Sequence, residues 1–319
     1  MANLFKTLFT GDSADTENEK TKAEEKNFEL FKYDGMRAER IGNIDYAIKC
    51  YTEALAIKED FETLSYLAKA YIQQNELEQA MKVLQQMIDI DPNVASTYLT
   101  AANICYIRES YQNTVDYCTK ALQLEETNLP AYLLLAKGNH KSGDEINAIT
   151  HLTKAITIKE DCAEAYLLRA EVLRDIREYE CALEDIEKVL ELTPEEEAAY
   201  LLRGKLKEQN EFTEEAKADY SHVIELNPFN EQAYLYLGQL LISEKKYTEA
   251  IENFNEAIEL KDNFSKAYHE RGRAKFLNND KEGSLEDMKK AMELDPKAEK
   301  NLEGQFNNFT DIYAGAKIF

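Results

Sequence analysis

The sequence has few of the residues that build metal sites and disulfide-stabilised folds. Its 319 residues include no tryptophan, four histidines, five cysteines, five prolines and eleven glycines. The cysteine number is odd, and no CxxC pair or Cys/His ligand spacing is present, which indicates reduced thiols in a cytoplasmic protein. Cys105 and Cys118 are predicted to be core residues, because a free cysteine packs as a small apolar side chain.

Long apolar runs and catalytic motifs are also missing. No stretch is apolar for long enough to cross a membrane, and the first twenty residues lack the pattern of a signal peptide. The chain has no phosphate-binding loop and no GxGxxG, GxSxG or HExxH motif, so we predict no catalytic residues, no cofactor and no metal site. A net charge of -23 opposes nonspecific binding to nucleic acid or anionic lipid.

An internal repeat is the main feature that is present. Between Phe229 and Asn263, apolar residues at three- and four-residue spacings mark two amphipathic helices, A and B. Gly238 stands within the stripe of helix A, where glycine weakens a helix by roughly 1 kcal/mol relative to alanine. It therefore indicates that a second helix approaches closely. Its counterparts recur every 34 residues, after a first step of 33: Gly35, Ala68, Ala102, Ala136, Ala170, Gly204, Gly238 and Gly272.

Helix B follows the same period. Below, positions are counted within each repeat so that Gly238 and its counterparts stand at position 8. The first small position of helix B is occupied by Ala47, Ala80, Thr114, Ala148, Ala182, Ala216, Ala250 and Ser284. Four of the five prolines, which block helix continuation, follow helix B: Pro92, Pro194, Pro228 and Pro296.

This pattern resembles the tetratricopeptide repeat (TPR) family, whose 34-residue signature is matched from about Phe28 to Pro296. The resemblance implies an all-α fold, a right-handed superhelical solenoid of eight helix-turn-helix repeats whose A helices line a concave groove. Two departures are that tyrosine replaces the usual tryptophan and that four repeats lack the closing proline. The predicted repeats span residues 28–60, 61–94, 95–128, 129–162, 163–196, 197–230, 231–264 and 265–296.

The two ends of the chain have separate predictions. Residues 1–27 read as a mobile arm, whose apolar patch of Leu4, Phe5, Leu8 and Phe9 docks either on a partner or on the repeats. Residues 297–319 read as a capping helix and tail, since apolar residues recur there at helical spacing and the last repeat of a solenoid needs a cover.

The resemblance places partner binding in the groove, on one face of the A helices. Positions 5 and 6 supply an apolar ribbon and position 9 a row of long polar side chains. The alternative is that position 5 packs between adjacent A helices and only position 6 is exposed. Acidic and basic residues are nearly balanced on this face, so the partner need not be basic. The residues predicted to bind a partner are Lys69, Asn103, Tyr106, Leu134, Lys137, Leu168, Glu171, Leu202, Lys205, Tyr236, Gln239 and Arg273.

One kind of partner known for the family can be tested by comparing its binding residues with this sequence. Chaperone-binding members clamp a C-terminal carboxylate with five residues, of which only Asn103 is matched here. Leu99, Leu134, Glu164 and Leu168 occupy the other four positions, so this clamp is not predicted. The sequence favours a noncatalytic scaffold or adaptor that binds a protein, as a peptide or helix, in the groove. The alternatives are a self-associating assembly subunit and the regulatory TPR arm of a glycosyltransferase-type system.

A comparison among the repeats predicts structural ion pairs. Arginine stands at position 7 only in repeats five, six and eight, and the same three repeats carry aspartate at position 23 on helix B. Each arginine should therefore bond to the aspartate of its own repeat, sixteen residues later, in a semi-buried bridge between helices A and B. The predicted pairs are Arg169 with Asp185, Arg203 with Asp219, and Arg271 with Asp287.

Overall fold

The computed structural model describes residues 11–296, which form sixteen α-helices and contain no strand. The predicted all-α class is confirmed over these residues. The apolar patch at Leu4 to Phe9 and the predicted capping helix at 297–319 lie outside them. The helices are α1 (Gly11–Arg40), α2 (Ile44–Ile57), α3 (Phe61–Gln73), α4 (Leu77–Ile90), α5 (Ala95–Ile107), α6 (Tyr111–Leu124), α7 (Leu129–Lys141), α8 (Glu145–Ile158), α9 (Ala163–Asp175), α10 (Tyr179–Leu192), α11 (Glu197–Gln209), α12 (Thr213–Leu226), α13 (Glu231–Ser243), α14 (Tyr247–Leu260), α15 (Ser265–Leu277) and α16 (Lys281–Leu294).

The chain divides into two compact bodies, one up to Ala165 and one from Tyr166. In the N-terminal body, consecutive helices pair as α1 with α2, α3 with α4, α5 with α6, and α7 with α8. In the C-terminal body, α11 pairs with α12, α13 with α14, and α15 with α16. Within each body every second helix of a pair also packs on the first helix of the next, which is how a solenoid builds its core.

A left-handed residue ends helix A at the same point of each repeat. Position 15 has a positive φ in every case, and the N–H of the next residue bonds back to the carbonyl at position 11, as in Asn43 to Ala38 at 2.9 Å. This pattern is a Schellman motif, which satisfies the last carbonyls of a helix. The eight residues at position 15 are Gly42, Asn75, Glu109, Gly143, Arg177, Glu211, Lys245 and Asn279. Only two of the eight are glycine.

The close approach predicted at Gly238 is present. A Cβ atom on Gly238 would lie 2.6 Å from Cε1 of Phe254, a fully buried residue of α14. Gly35 and Gly204 face the rings of Tyr51 and Tyr220 in the same way. In these three repeats glycine at position 8 makes room for an aromatic ring from helix B, whereas Gly272 lies against Ser284 and Met288 of α16.

Helix α1 extends further towards the N-terminus than the repeats predict. The sequence assigns residues 11–27 to a mobile arm, whereas the structure has them in α1, consistent with the high helix propensity of the Glu, Lys and Ala residues there. Residues 20–27 are all exposed, and burial begins at Phe28. The predicted start of the first repeat at residue 28 coincides with this change.

Candidate peptide-binding surface

A cavity that includes predicted partner-binding residues lies in the N-terminal body. It has a volume of about 530 Å³ and is bounded by α5, α7 and the segment that joins α8 to α9. Its apolar lining includes Leu133 and Leu134, which are buried, and Leu99 and Leu129, which are half-buried. A site of this volume falls within the range of pockets that hold small ligands or single side chains.

Polar side chains form the rim of this cavity. Asn103 is exposed and donates a hydrogen bond from Nδ2 to the carbonyl of Leu99 at 2.9 Å, one turn earlier in α5. Lys137 Nζ donates to Glu164 Oε1 at 2.8 Å. Both groups of this pair are solvent-accessible, and exposed ion pairs of this kind contribute only about 0 to 1 kcal/mol. The rim can therefore exchange its internal bonds for bonds to a bound peptide at little cost.

Three of the twelve predicted residues, Asn103, Leu134 and Lys137, meet at this cavity. The cavity wall from the segment after α8, which includes Cys162, was not predicted from the sequence. This segment has no residue that stands out from the repeat pattern, so periodicity gives no signal for it.

A second, smaller cavity of about 370 Å³ lies between α1 and α3 and contains Lys69. Lys69 Nζ lies 2.5 Å from Glu39 Oε1, and the same carboxylate accepts a hydrogen bond from Tyr51 at 3.1 Å. The ring of Tyr51 stacks on that of Tyr66 with 5.7 Å between centroids. The lysine thus belongs to a polar and aromatic cluster that links two repeats.

Lys205, Tyr236 and Gln239 form one cluster in the C-terminal body. Lys205 Nζ lies 4.2 Å above the Tyr236 ring, 2.9 Å from Glu208 Oε2 and 3.4 Å from Gln239 Oε1. Burial lowers the pKa of Lys205 and raises that of Tyr236. These groups satisfy one another, which favours a structural contribution and leaves less of their surface for a partner.

The apolar stripe at position 6 is not an exposed ribbon, and this part of the sequence analysis is wrong. Leu134 is 7% exposed and Leu202 6%, while Leu168 and Tyr236 are half-buried. Leu134 packs in a cluster with Ala102 and Cys118. Helix spacing alone does not reveal this burial, because position 6 lies between the core face and the open face of helix A.

The remaining predicted residues are dispersed. Tyr106 packs on the Leu134 cluster, with its ring centroid 5.8 Å from that of Tyr111. Glu171 is half-buried. Arg273 Nη1 lies 3.2 Å from Oε2 of Glu270, a buried residue. Burial alone would raise the pKa of Glu270, but the neighbouring imidazole and the Arg273 guanidinium outweigh it and hold the pKa below its usual range.

The arginines at position 7 lie against the aspartates at position 23. Each guanidinium donates two hydrogen bonds, from Nε and Nη2, to the two oxygens of one carboxylate. The aspartates are buried and the arginines half-buried, as in the predicted semi-buried bridges. The Nη2 to Oδ1 distances are 2.7 Å for Arg169 and Asp185, 2.7 Å for Arg203 and Asp219, and 2.6 Å for Arg271 and Asp287.

Two additions to these bridges were not predicted. Asp219 also lies 3.1 Å from Lys207 Nζ, and Asp287 lies 2.9 Å from Lys275 Nζ, with the lysine at position 11 in both repeats. In the fifth repeat, position 11 is Leu173. The lysines were visible in the sequence, but only the structure shows that positions 7 and 11 share one carboxylate.

The described residues contain neither a metal-binding cluster nor a membrane-spanning helix. Among residues 11–296 no group of three or more His, Cys, Asp or Glu side chains is placed to hold a metal ion. Over the same residues, no helix combines the length and the apolar character that a membrane span requires.

Paired helices that stack in sequence define the chain as an α-solenoid. The family model of the ETO1 C-terminal domain matches residues 34–211, more than half of the chain, and two tetratricopeptide repeat models match residues 201–268 and 265–298. The chain belongs to the tetratricopeptide repeat family, whose members are typically noncatalytic protein-interaction scaffolds. The comparison with curated proteins gives no match.

Solved structures agree with this class of fold. A tetratricopeptide repeat protein from Parabacteroides merdae is similar with a TM-score of 0.66 and 18% identity, over 75% of this chain and 95% of that chain. The APC/C hetero-tetramer Cut9-Hcn1 is similar with a TM-score of 0.59 and 14% identity, over 80% of this chain and 50% of that one. Identities this low establish the fold and nothing further.

Proposed function

We propose that the chain is a noncatalytic scaffold that binds a peptide segment of another protein across the A helices of its N-terminal body. The cavity between α5, α7 and the segment after α8 receives one apolar side chain of that peptide, and the rim holds the flanking backbone. The observation that carries the proposal is the combination of an apolar lining, at Leu133 and Leu134, with a rim that includes Asn103 and Lys137.

The energies support a site of this kind. Full burial of a leucine- or phenylalanine-sized side chain contributes about 1.5 to 3 kcal/mol. Binding interfaces commonly depend on a few such anchors, which fill pockets inside a ring of polar contacts. An anchor of this size offsets part of the cost of ordering the peptide, so the expected affinity is in the micromolar range unless further contacts extend along the A helices.

Selection from a displayed random peptide library, followed by calorimetry with the full chain, tests this proposal. We expect the selected peptides to share an apolar residue of leucine or phenylalanine size. Asn103→Trp should weaken their binding at least tenfold, because the indole fills the mouth of the cavity from an exposed position. Gln123→Trp, which adds the same bulk to an exposed position of α6, is the matched control and should keep the wild-type affinity.

The contradicting results are equally specific. Peptides that bind Asn103→Trp as tightly as the wild-type chain would exclude the cavity as the anchor site. Selected peptides without a shared apolar residue would show that recognition does not depend on a buried anchor.

A further inference from the structure

One face of α1 is uncovered where the corresponding face of other A helices is buried. Position 3 is buried in the next three repeats of the N-terminal body, at Thr63, Thr97 and Ala131, which are at most 3% exposed. In the first repeat position 3 is Leu30, which is 54% exposed. Position 3 of the first repeat is thus a large, exposed apolar residue, whereas the same position in the next three repeats is a small, buried residue.

The preceding helix B is what covers this face in the other repeats. Ala131, at position 3 of α7, packs with Ala121 of α6. Gly138, at position 10 of α7, lies so close to α6 that a Cβ atom would be 3.3 Å from Cγ2 of Thr114. Position 10 of α1 is Arg37, whose side chain is 77% exposed. Positions 3 and 10 of α1 therefore present a helix-binding face that no described residue occupies.

This open face extends over about three turns of helix. Leu30, Asp34, Arg37 and Ile41 are spaced by four, three and four residues, so all four lie on one side of α1. Ile41 is 79% exposed and continues the helical path, since its N–H bonds to the carbonyl of Arg37 at 3.2 Å.

Two copies of this face match each other when the two α1 helices run antiparallel. If two copies of α1 pair antiparallel about a two-fold axis that crosses between Gly35 and Met36, Leu30 of each copy faces Ile41 of the other. The same axis sets Asp34 of each copy opposite Arg37 of the other. Apolar residues then meet apolar residues and each acid meets a base, as an isologous two-fold interface requires.

The charges on this face also permit two copies to meet. The chain as a whole is strongly acidic, with a net charge of -23, which opposes self-association. The face itself carries one acid and one base, and these bond to each other at 3.3 Å while solvent-exposed. An exposed pair of this kind contributes little to stability, so it can open and re-form between two copies.

We propose that the face formed by Leu30, Asp34, Arg37 and Ile41 is the interface of a homodimer in which the α1 helices of two copies pair antiparallel. This inference is independent of the peptide site, which lies on α5 and α7. It commits to a second copy of the chain as the occupant, because the antiparallel arrangement sets apolar residues against apolar residues and each acid against a base.

Charge reversal tests the proposal, with sedimentation velocity or light scattering of the full chain at micromolar to 100 micromolar concentrations under reducing conditions. Asp34→Arg alone and Arg37→Asp alone each place like charges opposite one another, so each should weaken dimerisation at least tenfold. The double variant Asp34→Arg with Arg37→Asp restores both contacts and should dimerise like the wild-type chain. An equal mixture of the two single variants should form a heterodimer. Ile146→Glu, which changes an isoleucine 81% exposed on α8, is the control and should leave dimerisation unchanged.

Other results would overturn the proposal. A wild-type chain that stays monomeric across this range would exclude a homodimer interface here. The occupant of the face would then be residues 1–10 or a different protein. A dimer that all the charge variants preserve uses another surface. Single variants that are folded by circular dichroism and monomeric, but that form no heterodimer when mixed, would exclude the antiparallel arrangement.

Discussion

The Arg–Asp bridges allow a prediction that compares two repeats of the same chain. Asp185 and Asp219 are both buried and each accepts two hydrogen bonds from an arginine at position 7. Asp219 has a second cation 3.1 Å away, Lys207, whereas the corresponding position beside Asp185 is Leu173. Replacement of the arginine therefore leaves Asp219 with a lysine partner and Asp185 without one.

The expected magnitudes follow from this difference. Loss of one partner of a buried ion pair costs roughly 3 to 5 kcal/mol, because the remaining charge stays buried. We expect Arg169→Leu to fall in this range, and Arg203→Leu to cost about 2 kcal/mol, since Lys207 still pairs with Asp219. Both arginines also lie over a tyrosine ring, at 5.6 and 5.1 Å, so the loss of that contact is matched between the two variants. Arg203 also donates from Nη1 to exposed Glu187 at 3.0 Å, and the loss of such an exposed pair adds only about 0 to 1 kcal/mol.

Urea denaturation followed by circular dichroism measures the loss of unfolding free energy in both Arg→Leu variants. An unchanged slope of the unfolding free energy against urea concentration shows that the cooperative unit is the same in each variant. In the fifth repeat the double variant, Arg169→Leu with Asp185→Leu, should be more stable than Arg169→Leu alone, because neither charge of the pair is left buried. In the sixth repeat the gain from removing the aspartate should be smaller, because the loss of Asp219 takes a partner from the half-buried Lys207. The reasoning is refuted if Arg169→Leu costs no more than Arg203→Leu. It is equally refuted if removal of Asp185 from the Arg169→Leu variant gives no recovery.

Four further predictions concern single sites. Gly238→Ala should destabilise the chain by roughly 1 to 3 kcal/mol through overpacking against Phe254, and Phe254→Leu should recover part of the loss in the double variant, as read from thermal melts. Lys245→Gly should stabilise by about 1 kcal/mol, because a φ of 63° brings the Cβ of a lysine close to the backbone and glycine has no Cβ, and an unchanged melting temperature would contradict this. Burial raises the pKa of Cys118 from 9.0 to about 12, so iodoacetamide at pH 8 should label exposed Cys181 and spare Cys118 until the chain unfolds. The stability that the protonated Cys118 thiol contributes is fully present below pH 9 and is lost as the pH rises towards 12, which urea titrations against a Cys118→Ala variant should detect.

The periodicity of the sequence was sufficient to predict the helices and much of their packing. The 34-residue step predicted alternating A and B helices, and Gly238 predicted a close helix contact that the structure places against Phe254. The residues at positions 7 and 23 could be paired because arginine and aspartate occur together in three repeats and in no others. Each of these inferences depends on a comparison between repeats, which averages out local variation.

The open surface was harder to predict. Position 6 lies at the edge of the core, so neighbouring helices decide whether Leu134 is covered, and hydrophobicity alone cannot distinguish the two outcomes. The left-handed turn after helix A was also hidden, because Glu, Arg and Lys occupy it as often as Gly or Asn. The cavity wall at Cys162 comes from an irregular segment, for which the repeat pattern makes no prediction.

Photo-crosslinking of a selected peptide tests the proposed binding site most directly. Benzoylphenylalanine takes the place of the shared apolar residue of the peptide, and mass spectrometry locates the crosslinks on the full chain. We expect crosslinks to the cavity lining, at Leu99, Leu133 and Leu134, and their loss in Asn103→Trp but not in Gln123→Trp. Crosslinks that fall mainly on other residues, or that persist in Asn103→Trp, would contradict it.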